Sequence, residues 1–401
     1  MLYTKINNCR VCDSTLFEED KIISLEKVSI PGLFFNNKLD TSDYKTPLEI
    51  VICKKCLHIQ LHHDINSNLY EYYKSGKPTN AHFNHIDLIA NNFKNSYPKN
   101  AKILEIGGGA GYFLNVLHSK GFYNLFNIDA TDEISQNNSY TNINSVFPNE
   151  NISEKYAQEF DVVFTQHFLE HVADPKEILL SIRDILKEEG ELWIEVPDIE
   201  KTATTDYRLL SIIYSLHSSN FHKKSLEKLG EMTGFKLKEL KHVNHYGKSI
   251  LAIFNKQATV PSNIVFNDDE TNYNEILNGI NRFFGELEQF SKSLPNNIYC
   301  WGAAERCITI LSTIDSYKKI NVDGIFDSNE DLWFKKIAGF NTEVSSIIDF
   351  NSNIKHLLIL SPTNHIDILK KLFDKANNYI TIYIPFVGVY SKKNYELNFL
   401  S

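Results

Sequence analysis

Short apolar blocks alternate with stretches in which apolar residues recur at helical spacing. Ile103–Ile106, Asn124–Asp129, Glu159–Thr165 and Glu191–Asp198 are short and apolar in near-continuous runs. That pattern predicts strands of a parallel sheet, buried on both faces. Between them, Phe113, Leu114 and Leu117 mark one helix, and 176–186 reads as another after Asp174-Pro175. Alternating strands and helices predict a doubly wound α/β fold, with ligands bound at the strand carboxyl ends. A turn is expected at Glu188-Glu189-Gly190. After the polar stretch 255–263, a helix over Glu270–Leu294 carries Ile276, Ile280, Phe283, Phe284, Leu287 and Phe290. Strands near 297–301, 322–327, 355–360 and 379–384 then predict a second, smaller βα array. Ahead of both arrays, Val28–Phe35 and Pro47–Ile52 alternate like short strands. No internal repeat of fixed period is present.

Composition sharpens this picture. The chain has 401 residues, enough for about two or three domains of ~150 residues each. Lys and Arg total 41 against 50 Asp and Glu, a net charge of -9. That balance argues against a nucleic-acid partner, which favours a basic footprint. No apolar run approaches the ~18 residues of a membrane span. The start of the chain lacks a signal-peptide pattern, so a cytoplasmic protein with reduced thiols is expected.

Six cysteines therefore need a use other than disulfides. Cys9-Arg-Val-Cys12 and Cys53-Lys-Lys-Cys56 are two C-x-x-C pairs, each aiming two thiolates at one centre. Together they predict a closed, structural Zn²⁺ site of four sulfurs. His58, His62 and His63 follow, and surface or substrate-facing positions are expected for them. Cys300 and Cys307 fall in a predicted strand and helix and read as buried apolar fillers.

The segment Glu105-Ile-Gly107-Gly-Gly109-Ala-Gly111 lies between a strand and a helix. Its glycines permit a tight turn and close backbone approach to a ligand at a helix N-terminus. The next strand ends in Asp129, where a carboxylate can accept both hydroxyls of a ribose. This E-x-G-x-G-x-G form resembles motif I of class I S-adenosylmethionine (SAM) methyltransferases. Gln166-His167-Phe-Leu-Glu170-His171-Val-Ala-Asp174-Pro175 resembles the segment after the fourth strand of those enzymes. The resemblance places Gln166 and His167 beside the methionine part of SAM. Phe147 is a weak candidate for packing on adenine.

The whole plan resembles the three-domain sugar methyltransferases of deoxysugar pathways, which C-methylate nucleotide-linked keto-sugars. It implies a zinc-binding module at 1–65, a helical, Tyr-rich linker at 66–98, a Rossmann-like methyltransferase core at 99–254 and a C-terminal Rossmann-like α/β domain at 270–401. It also implies SAM as cofactor and a small-molecule partner, a nucleotide sugar. In that family a tyrosine follows the zinc module; here Tyr72 and Tyr73 are both candidates. A Glu-His pair follows "EVPD", and His217 fits the base position. Leu216 stands where the family has Glu, and His222 is a second local candidate. O- or N-methylation of another small polar metabolite, and a non-catalytic SAM-binding homologue, are the competing functions. The turn Trp301-Gly302-Ala-Ala-Glu305 has one glycine and no lysine, so dinucleotide binding there is not expected. Asp327 and Ser361–Asn364 could touch a nucleotide or sugar, or simply cap loops.

Overall fold

The computed structural model describes residues 2–36, 40–72, 79–130, 139–205, 209, 212–245, 247–261, 270–351, 353–373 and 379–391. The N-terminal module holds β1 (Tyr3–Lys5), β2 (Lys21–Ser29), β3 (Phe34–Asn36), β4 (Lys45–Ile52), β5 (Ile59–Leu61) and β6 (His63–Ile65). The strand expected over 28–35 is broken, because Pro31 and Gly32 turn the chain between β2 and β3. His58, His62 and His63 are buried, not surface residues as expected. They flank or form the short strands β5 and β6.

Helix α1 (Asn80–Ser96) is capped by Thr79, whose hydroxyl accepts from the His82 N–H. It buries Ile86, Ile89, Ala90 and Phe93 against Ile103, Phe113 and Phe164. The helix read as linker thus packs on the central sheet.

That sheet is built from β7 (Ile103–Ile106), β8 (Leu125–Asp129), β9 (Thr141–Asn144), β10 (Phe160–Gln166), β11 (Leu186–Pro197), β13 (Phe235–Val243) and β14 (Ser249–Lys256). Its order is β13-β14-β11-β10-β7-β8-β9. The strands from β11 to β9 are parallel, and β14 runs antiparallel to both neighbours. The chain winds from β7 outward to β9, then returns to β10 on the other side of β7. Ligands bind at such a switch point, at the strand carboxyl ends. Helices α2 (Tyr112–Ser119), α3 (Glu150–Lys155), α4 (Pro175–Ile185), α5 (Ile199–Thr205) and α6 (Lys223–Met232) complete this part. Asp174 caps α4, accepting the N–H groups of Lys176 and Glu177 at 2.9 and 3.0 Å, with Pro175 in the first turn. The turn expected at 188–190 is instead part of the extended run of β11. Pairing with β10 jumps there from Leu186 to Glu191 while β10 advances only from Phe160 to Val162. Phe147 is a core residue.

β12 (Ser219–Asn220) leaves the central unit and pairs with β5, extending the N-terminal sheet β12-β5-β4-β2. The C-terminal array has α7 (Glu270–Ser293), β15 (Asn297–Trp301), α8 (Glu305–Tyr317), β16 (Asn321–Asp327), β17 (Lys335–Ile337), β18 (Val344–Ser346), β19 (His356–Ile359), α9 (His365–Phe373), β20 (Thr381–Ile384) and β21 (Gly388–Ser391). Its main sheet runs β18-β16-β15-β19-β20-β21, while β17 pairs with β3 of the N-terminal module. Lys45 and the buried Asp315 form a 2.9 Å ion pair between these parts. Leu48, Ile50 and Leu61 share one core with Ile280 and Leu311. Cys300 and Cys307 are buried, as expected of fillers. No helix among the described residues is long and apolar enough to cross a membrane.

Candidate active site

The four cysteines of the two pairs converge. Sγ of Cys9 lies 3.4 Å from that of Cys56, and Cys12 lies 3.4 Å from Cys53. All four sulfurs fall within 4.8 Å of one another and are buried. A tetrahedron with Zn–S bonds of ~2.3 Å has edges of about 3.8 Å, so the set has the size of a zinc site. The two pairs share one backbone form. Asp13 and Leu57 donate N–H to the carbonyls of Cys9 and Cys53 at 2.9 and 2.7 Å, and both stand at φ +58°.

Each knuckle also grips the central unit. Arg10, buried between the first two cysteines, donates to the Ala173 carbonyl at 2.5 Å and pairs with Asp64 at 2.7 Å. The carbonyl of Leu57 accepts from His222 Nε2 at 3.1 Å. His222 is the N-cap residue of α6 and buried, so its ring pins the second knuckle in place. Tyr214 and Leu216 pack with Ile30, Leu33 and Phe35. The metal-sized site thereby braces the two segments, 169–174 and 214–222, that lie over the central sheet.

The glycine turn follows β7. Gly107, Gly109 and Gly111 have φ of +76°, +50° and +68°, where a side chain is strained. A Cβ on Gly107 would stand 2.7 Å from Phe168, which closes that side of the turn. A Cβ on Gly109 would meet nothing within 4 Å, so the turn opens on the other side. The Gly109 N–H donates to Asp129 Oδ2 at 2.7 Å. Glu105 is buried behind the turn, and its Oε2 has no hydrogen-bond partner. Burial, then the neighbouring Asp129, push its carboxyl up to about 8. An open glycine cradle at the start of α2, with an acidic strand end beside it, fits the adenosyl part of SAM.

At the end of β10, next to β7, a polar network replaces the apolar interior. Glu195 on β11 is fully buried. Its carboxylate meets His245 Nδ1 at 2.7 Å, His85 Nε2 at 2.8 Å and Gln166 Nε2 at 2.9 Å. His167, at φ +49°, lies 3.5 Å from Glu195 and 3.2 Å from Glu170. Burial pushes the Glu195 carboxyl up, but the three imidazoles outweigh it and hold it well below the usual range. Burial pulls His167 down, yet its two carboxylates outweigh that and lift it to about 9, so it is cationic at neutral pH. His82 continues the chain, 3.1 Å from His245.

His217 lies beside this network. Its ring is 4.7 Å from that of His171 and 4.2 Å from that of Tyr214. Burial first, then the neighbouring His171, drive its imidazole down to about 3. Of the other candidates, Tyr72 is partly exposed and packs on Phe35, 4.8 Å between ring centres. Tyr73 lies outside the described residues. The sequence patterns do not single out His82, His85, Glu195 or His245. The only signal was the "EVPD" acid, a charge in the middle of a buried strand.

Residues 81–240 match the family model of a methyltransferase domain. With the glycine turn and the doubly wound sheet, this part of the chain is a class I, SAM-dependent methyltransferase domain. No curated protein matches the chain. Among solved structures, a 1,6-didemethyltoxoflavin N1-methyltransferase of Burkholderia thailandensis is similar at 15% identity, covering 44% of this chain and 79% of its own, with TM-score 0.35. A SAM-dependent methyltransferase of Archaeoglobus fulgidus is 18% identical over 43% of this chain and 94% of its own, with TM-score 0.34. Magnesium protoporphyrin IX methyltransferase of Synechocystis, solved with S-adenosylhomocysteine, is 11% identical over 46% and 91%, with TM-score 0.36.

Proposed function

We propose that the protein methylates a nucleotide-linked keto- or deoxysugar. One observation carries the proposal. The open glycine turn follows β7, and the neighbouring strand β10 runs into the segment whose Glu170 and His171 cluster with the buried His217. SAM, when bound, supplies an electrophilic methyl group. Gly107, Gly109 and Gly111 let the backbone approach it, Asp129 accepts its ribose hydroxyls, and Glu105 lines the turn from behind. Gln166 and His167, held by Glu195, flank its methionine end.

The acceptor must lose a proton, and by resemblance that role falls to His217. Its Nδ1 has no hydrogen-bond partner, while a backbone bond to Ile212 holds the ring. Glu170 stabilises the cation formed once the proton arrives. A carboxylate from β10's end thus stands near His217 where Leu216 offers none. Tyr72 or Tyr73, by resemblance, steadies the oxyanion of an enolate. We read the four thiolates as holding structural zinc, which keeps segment 214–222 in register with the sheet. Sugar as acceptor is supported by the resemblance of the whole-chain plan.

A second function, O- or N-methylation of another small polar metabolite, is favoured by Leu216, which is buried and apolar. Incubation with SAM, a panel of nucleotide sugars and a panel of other polar metabolites, read by mass, separates the two. One added methyl on a nucleotide sugar is expected, and NMR places it on carbon or oxygen. Methylation of another metabolite and of no sugar overturns the sugar assignment.

A further inference from the structure

Glu170, His171 and His217 each offer one ligand atom within 4.8 Å of the other two. What distinguishes them is how their remaining atoms are used. His171 Nδ1 lies 3.0 Å from the Leu216 carbonyl. A carbonyl only accepts, so Nδ1 carries the proton and Nε2 keeps its lone pair. His217 is held through the Ile212 backbone, and its Nδ1 has no partner. Glu170 turns Oε1 to His167 at 3.2 Å, and its Oε2 has no partner. Glu170 is 1% exposed and His217 4%. An unpaired buried acceptor has lost its hydration without a bond in return. Two of them belong to residues whose ligand atoms come within 4.8 Å of each other and of His171. Outer hydrogen bonds that fix the tautomer and leave the inner lone pair free are the supporting shell of metal ligands.

We propose that Glu170, His171 and His217 bind a divalent transition-metal ion. Two imidazoles and a carboxylate suit zinc, iron(II), cobalt or manganese, and three protein ligands leave positions open. The site is separate from the four thiolates, which use sulfur only. His167 lies between Glu170 and Glu195. It is tied to the outer oxygen of Glu170, so the inner oxygen stays available. With an ion bound, His217 Nδ1 is a ligand rather than a free base. The open positions can then take an oxygen of the methyl acceptor and polarise it, which raises the acidity of the adjacent C–H or O–H. Only this catalytic consequence rests on the methyl-transfer function; ion binding does not require it.

The test uses the full chain, stripped with a chelator and titrated with Co²⁺, with metal content measured by mass spectrometry. Two equivalents are expected. One shows the thiolate-to-cobalt charge-transfer band, and the other adds d–d absorption without it. Glu170→Gln and His171→Gln, each checked for an unchanged thiolate band and circular dichroism, should each lose the second equivalent and keep the first. Binding of the thiolate-bound ion alone by the unaltered chain overturns the proposal. So does a second equivalent that persists in both variants. SAM binding measured in parallel by calorimetry shows whether the methyltransferase function stands independently of that result.

Discussion

Two turns in this chain are built alike and do different things. Each follows a central strand, opens a helix and faces an aspartate at the end of the next strand. Gly109 N–H donates to Asp129 at 2.7 Å, and Ala303 N–H donates to Asp327 at 2.7 Å. The first turn is open at Gly109, and α2 carries no acid in its first turn. The second is filled. Glu305 occupies the first turn of α8. Asp327 spends its other oxygen on the Asn329 N–H at 2.7 Å, and its carbonyl accepts from the Trp333 indole at 2.8 Å. An acid at a helix N-terminus takes the place an anionic or polar ligand would use. The same backbone plan therefore gives a ligand cradle in one sheet and a self-satisfied corner in the other.

The largest difference between the two sheets should appear in turnover. His217→Asn is expected to lower kcat by about 10²–10⁴-fold, the range for a lost proton-transfer or ligand group. SAM affinity should hardly change. Asn364, at the matching edge of the C-terminal sheet, bonds to Ser361 in its own turn at 3.3 Å. Asn364→Ala should leave kcat within about twofold, as a surface substitution should. Equal losses in the two variants would erase the contrast.

A smaller effect separates the glycines. Gly107→Ala places a Cβ against Phe168 at a left-handed φ, so the turn must distort. SAM binding should weaken by about tenfold or more, the equivalent of ~1.4 kcal/mol. Gly302→Ala, crowded by Cys307, should cost about 1–3 kcal/mol of stability in urea denaturation and leave SAM affinity alone.

A separate effect, on stability against pH, concerns Glu105, raised to about 8 from 4.5. The folded chain holds this proton to higher pH than the unfolded one. Folding stability therefore falls as pH rises from about 4.5 to about 8, with a slope on the order of 1 kcal/mol per pH unit. Glu105→Gln should flatten that part of the stability curve. An unchanged slope would show that Glu105 is ionised in the folded protein.

How much of this could be read from residues alone depends on distance along the chain. The glycine turn and the cysteine pairs are local patterns, and local patterns carry their own geometry. The strand periodicity marks β7, β8, β10 and β11 of the central sheet, apart from the run at 186–190, but not β9 or the antiparallel β13 and β14. His85, Glu195 and His245 come from three elements spread over 160 positions, and no short window contains them. Their meeting is a product of topology, since β14 inserts beside β11 and brings the His245 loop over Glu195. His58, His62 and His63 mislead for a related reason. Polar residues beside a metal-sized site look exposed, yet β12 returns from far downstream to cover β5.

The central claim is that the β7 turn, and not its C-terminal counterpart, holds SAM. Titration calorimetry on the unaltered chain, Asp129→Ala and Asp327→Ala tests it directly. One SAM site per chain is expected. Asp129→Ala should weaken it about 100-fold, equivalent to losing one or two hydrogen bonds to a charged group, while Asp327→Ala leaves it unchanged. Absence of SAM binding, or its loss in Asp327→Ala with retention in Asp129→Ala, would contradict the account.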